Sequence, residues 1–273
     1  MMQVKDVLRN NGFRFEKKYG QNFLTDEKLL ESLVEMTGVG KDDTVVEIGV
    51  GAGTLTSALA RNVKKVIGFE IDRKLQPVLA ETLNGKTNVD IIYKDVMKTP
   101  TAEIENIVGG RFSVVANLPY YITTPILMKF LEESDRVDII AVTVQEEVAD
   151  RMCAKAGSAD YGALTLAIDV VGDAEKVMRI PRDMFYPVPN VDSAVVIIKL
   201  NRNKYDGVDS TAFRDVVRSA FSSRRKTLVN NLMQSFGIPR AKAEEIVSKV
   251  KGDTMVRGET LTTDEFVALS KLV

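Results

Sequence analysis

The sequence predicts an α/β protein: a doubly wound parallel sheet followed by a small all-α appendage. Three observations lead there. Between residues 24 and about 145, short Val/Ile-rich runs alternate with segments of helical period. Around residue 160 that alternation gives way to one helical segment and two strand-like runs joined by a Pro-rich stretch. From about residue 207 to the end only helical patterns remain.

The runs DTVVEIGV (43–50), KKVIGFEI (64–71), NVDIIYKD (88–95), RFSVVANL (111–118) and VDIIAVTV (137–144) are almost continuously apolar. A strand covered by helices on both faces requires that pattern, whereas a half-exposed strand alternates. Between them LTSALARN (55–62), RKLQPVLAETLN (73–84) and TTPILMKFLEE (123–133) place apolar residues near every 3.6 positions. YGALTLAIDVV (161–171) reads as a helix, and EKVMRIP (175–181) and VDSAVVIIKL (191–200) read as strands added antiparallel at the far side of the sheet. STAFRDVVRSAF, KTLVNNLMQSF, RAKAEEIVSKV and TDEFVALSKL make up the appendage, with Gly237 and Pro239 separating the second from the third. The expected boundary divides 1–206 from 207–273.

Composition narrows the chemistry. The 273 residues hold one cysteine, Cys153, and no histidine, which removes internal disulfides, Cys- or His-ligated zinc, and Ser-His-Asp or Cys-His catalysis. No metal site is expected. No run approaches the ~18 apolar residues of a membrane span, and the first twenty residues lack the apolar segment of a secretory signal, so the cytoplasm is the expected compartment. The net charge of −1 is unevenly spread: residues 201–273 carry 13 basic against 9 acidic side chains. Residues 1–20 contribute Lys5, Arg9, Arg14, Lys17 and Lys18 against two acids. Basic ends around an acidic middle suit contact with an anionic polymer, although ordinary surface charge gives the same counts.

The motifs sit at strand ends. EIGVGAGTLT (47–56) places Gly49, Gly51 and Gly53 after the first strand, where glycines let the backbone turn sharply and approach a ligand. Dinucleotide binding would call for G-x-G-x-x-G, but position 54 is Thr; the spacing, with Glu47 just before, fits an adenosylmethionine site better. A purely structural turn is the other reading. Glu70 ends the second strand, placed to accept both ribose hydroxyls. Asp95 ends the third, placed for an adenine amino group or simply as a cap.

Asn117-Leu118-Pro119-Tyr120 ends the fourth strand and points to the reaction. An adenine amino nitrogen is a poor nucleophile because its lone pair is delocalised into the ring. The Asn117 side-chain oxygen and the Leu118 or Pro119 carbonyl can hold its two N–H groups and aim the lone pair at a methyl sulfonium. Tyr120 offers a face for a base swung out of its helix. Phe185, in FYPVPNVDS, is a candidate second face; a buried Phe in a Pro-rich turn is the alternative. Arg224, Arg225 and Lys226 cluster at an expected helix start, where cations oppose the dipole, so phosphate contact is the expectation and a solvated cluster the alternative.

Together these residues resemble the ribosomal RNA adenine dimethyltransferase family, whose members govern kasugamycin sensitivity in bacteria. The resemblance runs from Lys17 to about residue 235 through KKYGQNFL (17–24), EIGVGAGTLT, FEID (69–72), KDVM (94–97), ANLPYYITTPIL (116–127), QEEVADRM (145–152), YGALT (161–165), FYPVPNVDSAVV (185–196) and AFSSRRKTLVNNL (220–232). It implies a seven-stranded, Rossmann-like class I methyltransferase domain with a helical C-terminal domain. The implied reaction converts two adjacent adenosines, in a hairpin loop near the 3′ end of small-subunit (16S) RNA, to N6,N6-dimethyladenosine during ribosome biogenesis. S-adenosylmethionine is the implied cofactor. Asn22 and Leu24 join Gly49, Gly51, Glu70, Asp95 and Asn117 as its implied contacts, with Gln21 a neighbour. Asn190 departs from the family pattern, which commonly has Lys there. The expected partner is immature small-subunit rRNA, met by a monomer away from membranes. Competing readings are a resistance methyltransferase acting on large-subunit RNA, an assembly factor acting mainly by binding, and, more remotely, an NAD-dependent dehydrogenase.

Overall fold

The computed structural model describes residues 4–16 and 19–273. Lys17 and Lys18, counted above in the basic N-terminal segment, lie outside the described residues. In chain order the first elements are α1 (Val4–Asn10), β1 (Phe23–Leu24), α2 (Glu27–Thr37), β2 (Thr44–Ile48), α3 (Thr54–Asn62), β3 (Lys65–Phe69), α4 (Gln76–Thr82) and β4 (Val89–Ile92). Then come α5 (Thr101–Val108), β5 (Phe112–Asn117), α6 (Thr123–Glu133), β6 (Val137–Gln145), α7 (Glu146–Met152), α8 (Ala163–Asp169), β7 (Gly172–Ile180), β8 (Phe185–Tyr186) and β9 (Ser193–Leu200). The chain closes with α9 (Ser210–Ala220), α10 (Leu228–Phe236), α11 (Arg240–Lys251) and α12 (Thr263–Ser270).

Seven strands form one sheet in the order β4-β3-β2-β5-β6-β9-β7. The pairs β4/β3, β3/β2, β2/β5 and β5/β6 are parallel, and β9 joins β6 antiparallel. From β2 the chain winds outwards through β3 and β4, then returns to place β5 on the other side of β2. At that reversal β2 and β5 lie side by side, and the carboxyl ends of strands at such a switch point flank a crevice. The strands expected from their apolar runs are all present. β2 and β5 are buried along nearly their whole length, the reason their sequences do not alternate.

The chain divides into two compact units, one of residues up to Ala149 plus Ala174–Leu200, the other of Asp150–Asp173 plus Asn201–Val273. The expected boundary at 206/207 therefore differs from the observed division: the second unit starts at Asn201 and also takes in the α8 segment. Tyr161 and Leu166 explain this, because they are buried in the same apolar cluster as Phe213, Leu228, Leu232, Ile246 and Phe266. Strong local signals fix the helices of this unit. Asp209 caps α9 through Thr211 and Ala212 N–H, Thr227 caps α10 through Asn230 N–H, and Thr262 and Glu265 form a reciprocal capping box on α12. Among the described residues no helix is long and apolar enough to cross a membrane.

In the first unit, the core under the sheet gathers Leu30, Leu33, Val45, Leu59, Val66 and Val195. A second, two-stranded sheet pairs β1 with β8 antiparallel, Phe23 opposite Tyr186 and Leu24 opposite Phe185. This pairing holds the segment before α2 beside the crevice. Phe15 packs against both Phe23 and Tyr186, with centroids 5.6 and 5.4 Å away.

Candidate active site

Gly49 and Gly51 follow β2 with φ of +73° and +59°, a region that L side chains rarely enter. At Gly51 a side chain is excluded twice over, since an added Cβ would stand 2.7 Å from the Phe23 ring. The turn is bound to its neighbours: Gly49 N–H donates to the Phe69 carbonyl at 2.8 Å, and Gly51 N–H donates to Glu70 Oε2 at 2.8 Å. Glu70 also takes the Asp72 N–H on Oε1 at 2.7 Å. Burial raises its carboxyl above the ordinary carboxylate range, and these two amide bonds work against that shift. One carboxylate thus ties the tip of β3 to the glycine turn after β2.

Glu47, on β2 beneath the turn, is 1% exposed and its Oε2 has no hydrogen-bond partner. Burial, and secondarily the nearby Glu70 charge, push its carboxyl up to about 8, so it is protonated at neutral pH. The neighbouring Thr56 pulls in the opposite direction.

Asn117 is the last residue of β5. Its Nδ2 donates to the Asn22 carbonyl at 2.8 Å. That bond commits the donor end of the amide and turns Oδ1, an acceptor, the other way. Gln21 is fixed too: its Nε2 donates to Asp72 Oδ2 at 2.9 Å, and its Oε1 accepts the Glu16 N–H. Leu118 N–H donates to the Thr143 carbonyl on β6. The Pro119 carbonyl accepts from Ile122 N–H and from the Thr123 hydroxyl. Of the two main-chain acceptors considered from sequence, Pro119 is thus occupied within its own turn.

A single cavity is lined by Gln21, Asn22, Gly49, Gly51, Glu70 and the run Asn117 to Tyr120. Tyr19, Gly20, Phe23, Ile71 and Tyr121 complete it. Sequence reasoning missed Ile71 and Tyr121, which are 47% and 63% exposed. An apolar and an aromatic side chain left open directly after FE and NLPY were the available signals. Tyr121 packs over the Gly20 turn, within 3.5 Å of where a Cβ would stand.

Three expected contacts fall elsewhere. Leu24, 1% exposed, points into the core and does not line the cavity, because the β1 pairing alternates Phe23 and Leu24 to opposite faces. Phe185 is 2% exposed within that core; the same alternation on β8 leaves its neighbour Tyr186 exposed instead, so Phe185 is not a face of the slot. Asp95 lies outside the lining as well. Its Oδ1 accepts the Met97 N–H at 3.0 Å, the capping use, although its charge is felt by the Tyr121 phenol at the cavity rim.

In the second unit the basic cluster precedes its helix: α10 starts at Leu228, two residues later than the sequence suggested. Arg224 donates to the carbonyls of Ala159 and Tyr161 at 3.1 and 2.7 Å. Lys226 donates to Gln234 Oε1 at 2.9 Å, and Arg225 is exposed. Arg224 therefore has a structural task that the charge pattern alone did not indicate.

The geometry of the first unit suits an adenosine cofactor carrying a sulfonium. The backbone at Gly49 and Gly51 admits close approach, and Glu70 sits one strand away as an acceptor for hydroxyls. With the glycine spacing and the antiparallel strand β9 beside β6, this defines a class I adenosylmethionine-dependent methyltransferase. The description "Ribosomal RNA adenine dimethylase" belongs to the family model that matches residues 12–272. The chain belongs to that family, and is accordingly an rRNA adenine dimethyltransferase. It is 45% identical to the ribosomal RNA small subunit methyltransferase A of Geobacillus thermodenitrificans, over 98% of this chain and 94% of the relative. The protein of the same description from Bacillus mycoides is also 45% identical, with the same coverage. Among solved structures, a dimethyladenosine transferase from Plasmodium falciparum superposes with a TM-score of 0.77 at 24% identity, covering 90% of this chain and 95% of that one. The 23S rRNA methyltransferase ErmE gives 0.71 at 25% identity, covering 92% and 98%.

Proposed function

We propose that this enzyme transfers methyl groups to N6 of two adjacent adenosines in the 3′-terminal hairpin loop of small-subunit (16S) rRNA, on the immature subunit. One observation carries the reading of the chemistry: the Asn117 amide is held by the Asn22 carbonyl with its oxygen free to accept. With the Pro119 carbonyl engaged, the Leu118 carbonyl is the main-chain acceptor that works beside that oxygen. Two acceptors at the tip of β5 take the two N–H groups of an adenine amine, draw the nitrogen towards tetrahedral geometry and fix the direction of its lone pair. Adenosylmethionine, when bound, supplies an electrophilic methyl group. Gly49, Gly51 and Glu70 would hold its adenosine portion, and Gln21 and Asn22 flank the same cavity. No strong base is required at Asn117: the proton becomes acidic only as the new N–C bond forms, and is then released to solvent.

A monomethylated amine keeps one N–H, so the second transfer loses one of the two acceptors' partners. The side-chain oxygen or the carbonyl then holds the nitrogen alone, while the first methyl group occupies the space of the lost hydrogen. Tyr120, half-buried, is the platform on which the flipped base stacks. Arg225 and Lys226 are phosphate contacts in the second unit, with Arg224 bracing their loop.

The likeness to ErmE supports a second reading, methylation of large-subunit RNA. The identity to the small-subunit relatives favours the first. Mass spectrometry after incubation with methyl-labelled cofactor separates them. Label at two adjacent dimethyladenosines in RNA from immature small subunits is the expected result; label confined to naked large-subunit RNA would overturn it. A chain that binds immature subunits and transfers no methyl group would make it an assembly factor instead.

A further inference from the structure

Tyr120 opens a 3₁₀ turn, Tyr120–Ile122, directly after the residues that hold the amine. A tyrosine ring in such a turn has two side-chain torsions, and a half-buried ring has room to use them. Here the far end of the ring is pinned, because the Tyr120 hydroxyl lies 2.7 Å from Ser193 Oγ. Ser193 is 0% exposed, the first residue of β9, and in register with Gln145 of β6. The residue before it is clamped from three sides. The Asp192 carbonyl accepts the Glu146 N–H at 3.1 Å, and its carboxylate accepts Arg179 Nη2 at 2.6 Å and the Arg182 N–H at 2.9 Å. The hydroxyl that meets Tyr120 is thus presented from backbone fixed by a sheet ladder and by a charged clamp.

We infer that Ser193 is a positioning residue for methyl transfer: it holds the Tyr120 ring, on which the target adenine stacks, against swinging about χ1, and touches neither reactant itself. A base stacked on a ring held in place brings N6 to the Asn117 and Leu118 oxygens in one position. On a ring free to swing, only a fraction of bound bases is aligned for attack. The Tyr120 phenol contributes through its bond to Ser193 and takes no part as an acid. Burial, its leading influence, raises its ionisation further above neutrality.

The inference rests on the reading of Tyr120 as the platform, and the two can fail separately. With the full chain, immature small subunits and methyl-labelled adenosylmethionine, Ser193→Ala and Tyr120→Phe cut the same bond. Each is expected to lower kcat by about fivefold, the rate equivalent of one net hydrogen bond, with KM for the cofactor unchanged. The double variant is expected to fall no further than either single one, a coupling that a general packing defect would not produce. If Ser193→Ala does not fold, Tyr120→Phe, altered at a half-exposed position, carries the test through its kcat and unchanged cofactor KM. A double variant whose loss is the product of the two single losses, or wild-type kcat in Tyr120→Phe, overturns the role of Ser193. Tyr120→Ala tests the platform alone: wild-type turnover there removes the reading on which the inference stands. An inactive Tyr120→Ala beside wild-type-like Ser193→Ala and Tyr120→Phe removes only the inference.

Discussion

At the tips of β2, β3 and β5 almost every polar group has its orientation set by a partner before any substrate arrives; in the loop before α10 only some do. Glu70 is held by two backbone N–H groups, Gln21 by Asp72 and Glu16, and Asn117 by Asn22. In the loop, Arg224 is tied to two carbonyls and Lys226 to one side chain, while Arg225 extends into solvent. The difference matches the two tasks. Directing a lone pair requires fixed dipoles, which do not have to reorganise as charge develops. Holding phosphates requires charge, and long cationic side chains can find a flexible polyanion without a preset geometry.

The largest effect that would break this contrast is at β5. Asn117→Ala removes the acceptor and leaves the Asn22 carbonyl without its donor. Its kcat is expected to fall by roughly 100- to 1,000-fold, with RNA affinity nearly intact. Near-normal turnover would mean that the amide is scaffolding.

A smaller effect concerns Glu47, a buried carboxyl of β2 with an unpartnered oxygen. Its folded-state value of about 8 lies above the ordinary 4.5, so between those pH values the folded chain keeps a proton that the unfolded chain has released. Stability of the wild-type chain therefore falls as pH rises from about 4.5 to about 8. Glu47→Gln, neutral throughout, should unfold like wild type near pH 4 and be more stable at pH 7, by roughly 3 kcal/mol. Thermal denaturation of the cofactor-free chain across this range gives the answer; a constant difference between the two proteins would refute the buried-acid assignment.

The loop offers the finest discrimination. Arg224→Ala should cost about 1 kcal/mol of stability, read in chemical denaturation, because two carbonyls lose a charged donor. Arg225→Ala should leave stability unchanged, weaken RNA binding several-fold and reduce the slope of log affinity against log salt by about one. Equal behaviour of the two arginines would erase the distinction between brace and contact.

Much of this was legible in the sequence, for physical reasons that also mark where legibility ended. β2 and β5 announce themselves because burial on both faces demands unbroken Val/Ile runs, and the residues ending them follow from strand order. Asn117 and Glu70 could be placed on that basis. Phe185 could not, since its direction depends on β8 pairing with β1, two residues each and far apart in sequence, and that register turns Phe185 inwards and Tyr186 out. Leu24 was misplaced by the same pairing. Arg224 looked like a free cation because its acceptors, at Ala159 and Tyr161, belong to a segment that joins the helical unit only after folding. Helices α1, α2, α5 and α7 were not anticipated, although α2 carries clear local signals: Asp26 caps it through Leu29 N–H and Gly38 closes it in the left-handed conformation.

The most direct test of the amine-holding geometry is a crystal structure with an adenosine-containing RNA hairpin and the demethylated cofactor bound. The Asn117 Nδ2 bond to the Asn22 carbonyl should persist, with the adenine N6 about 3 Å from both Asn117 Oδ1 and the Leu118 carbonyl. An amide turned over to donate to the base, or an N6 paired with the Pro119 carbonyl instead, would contradict it.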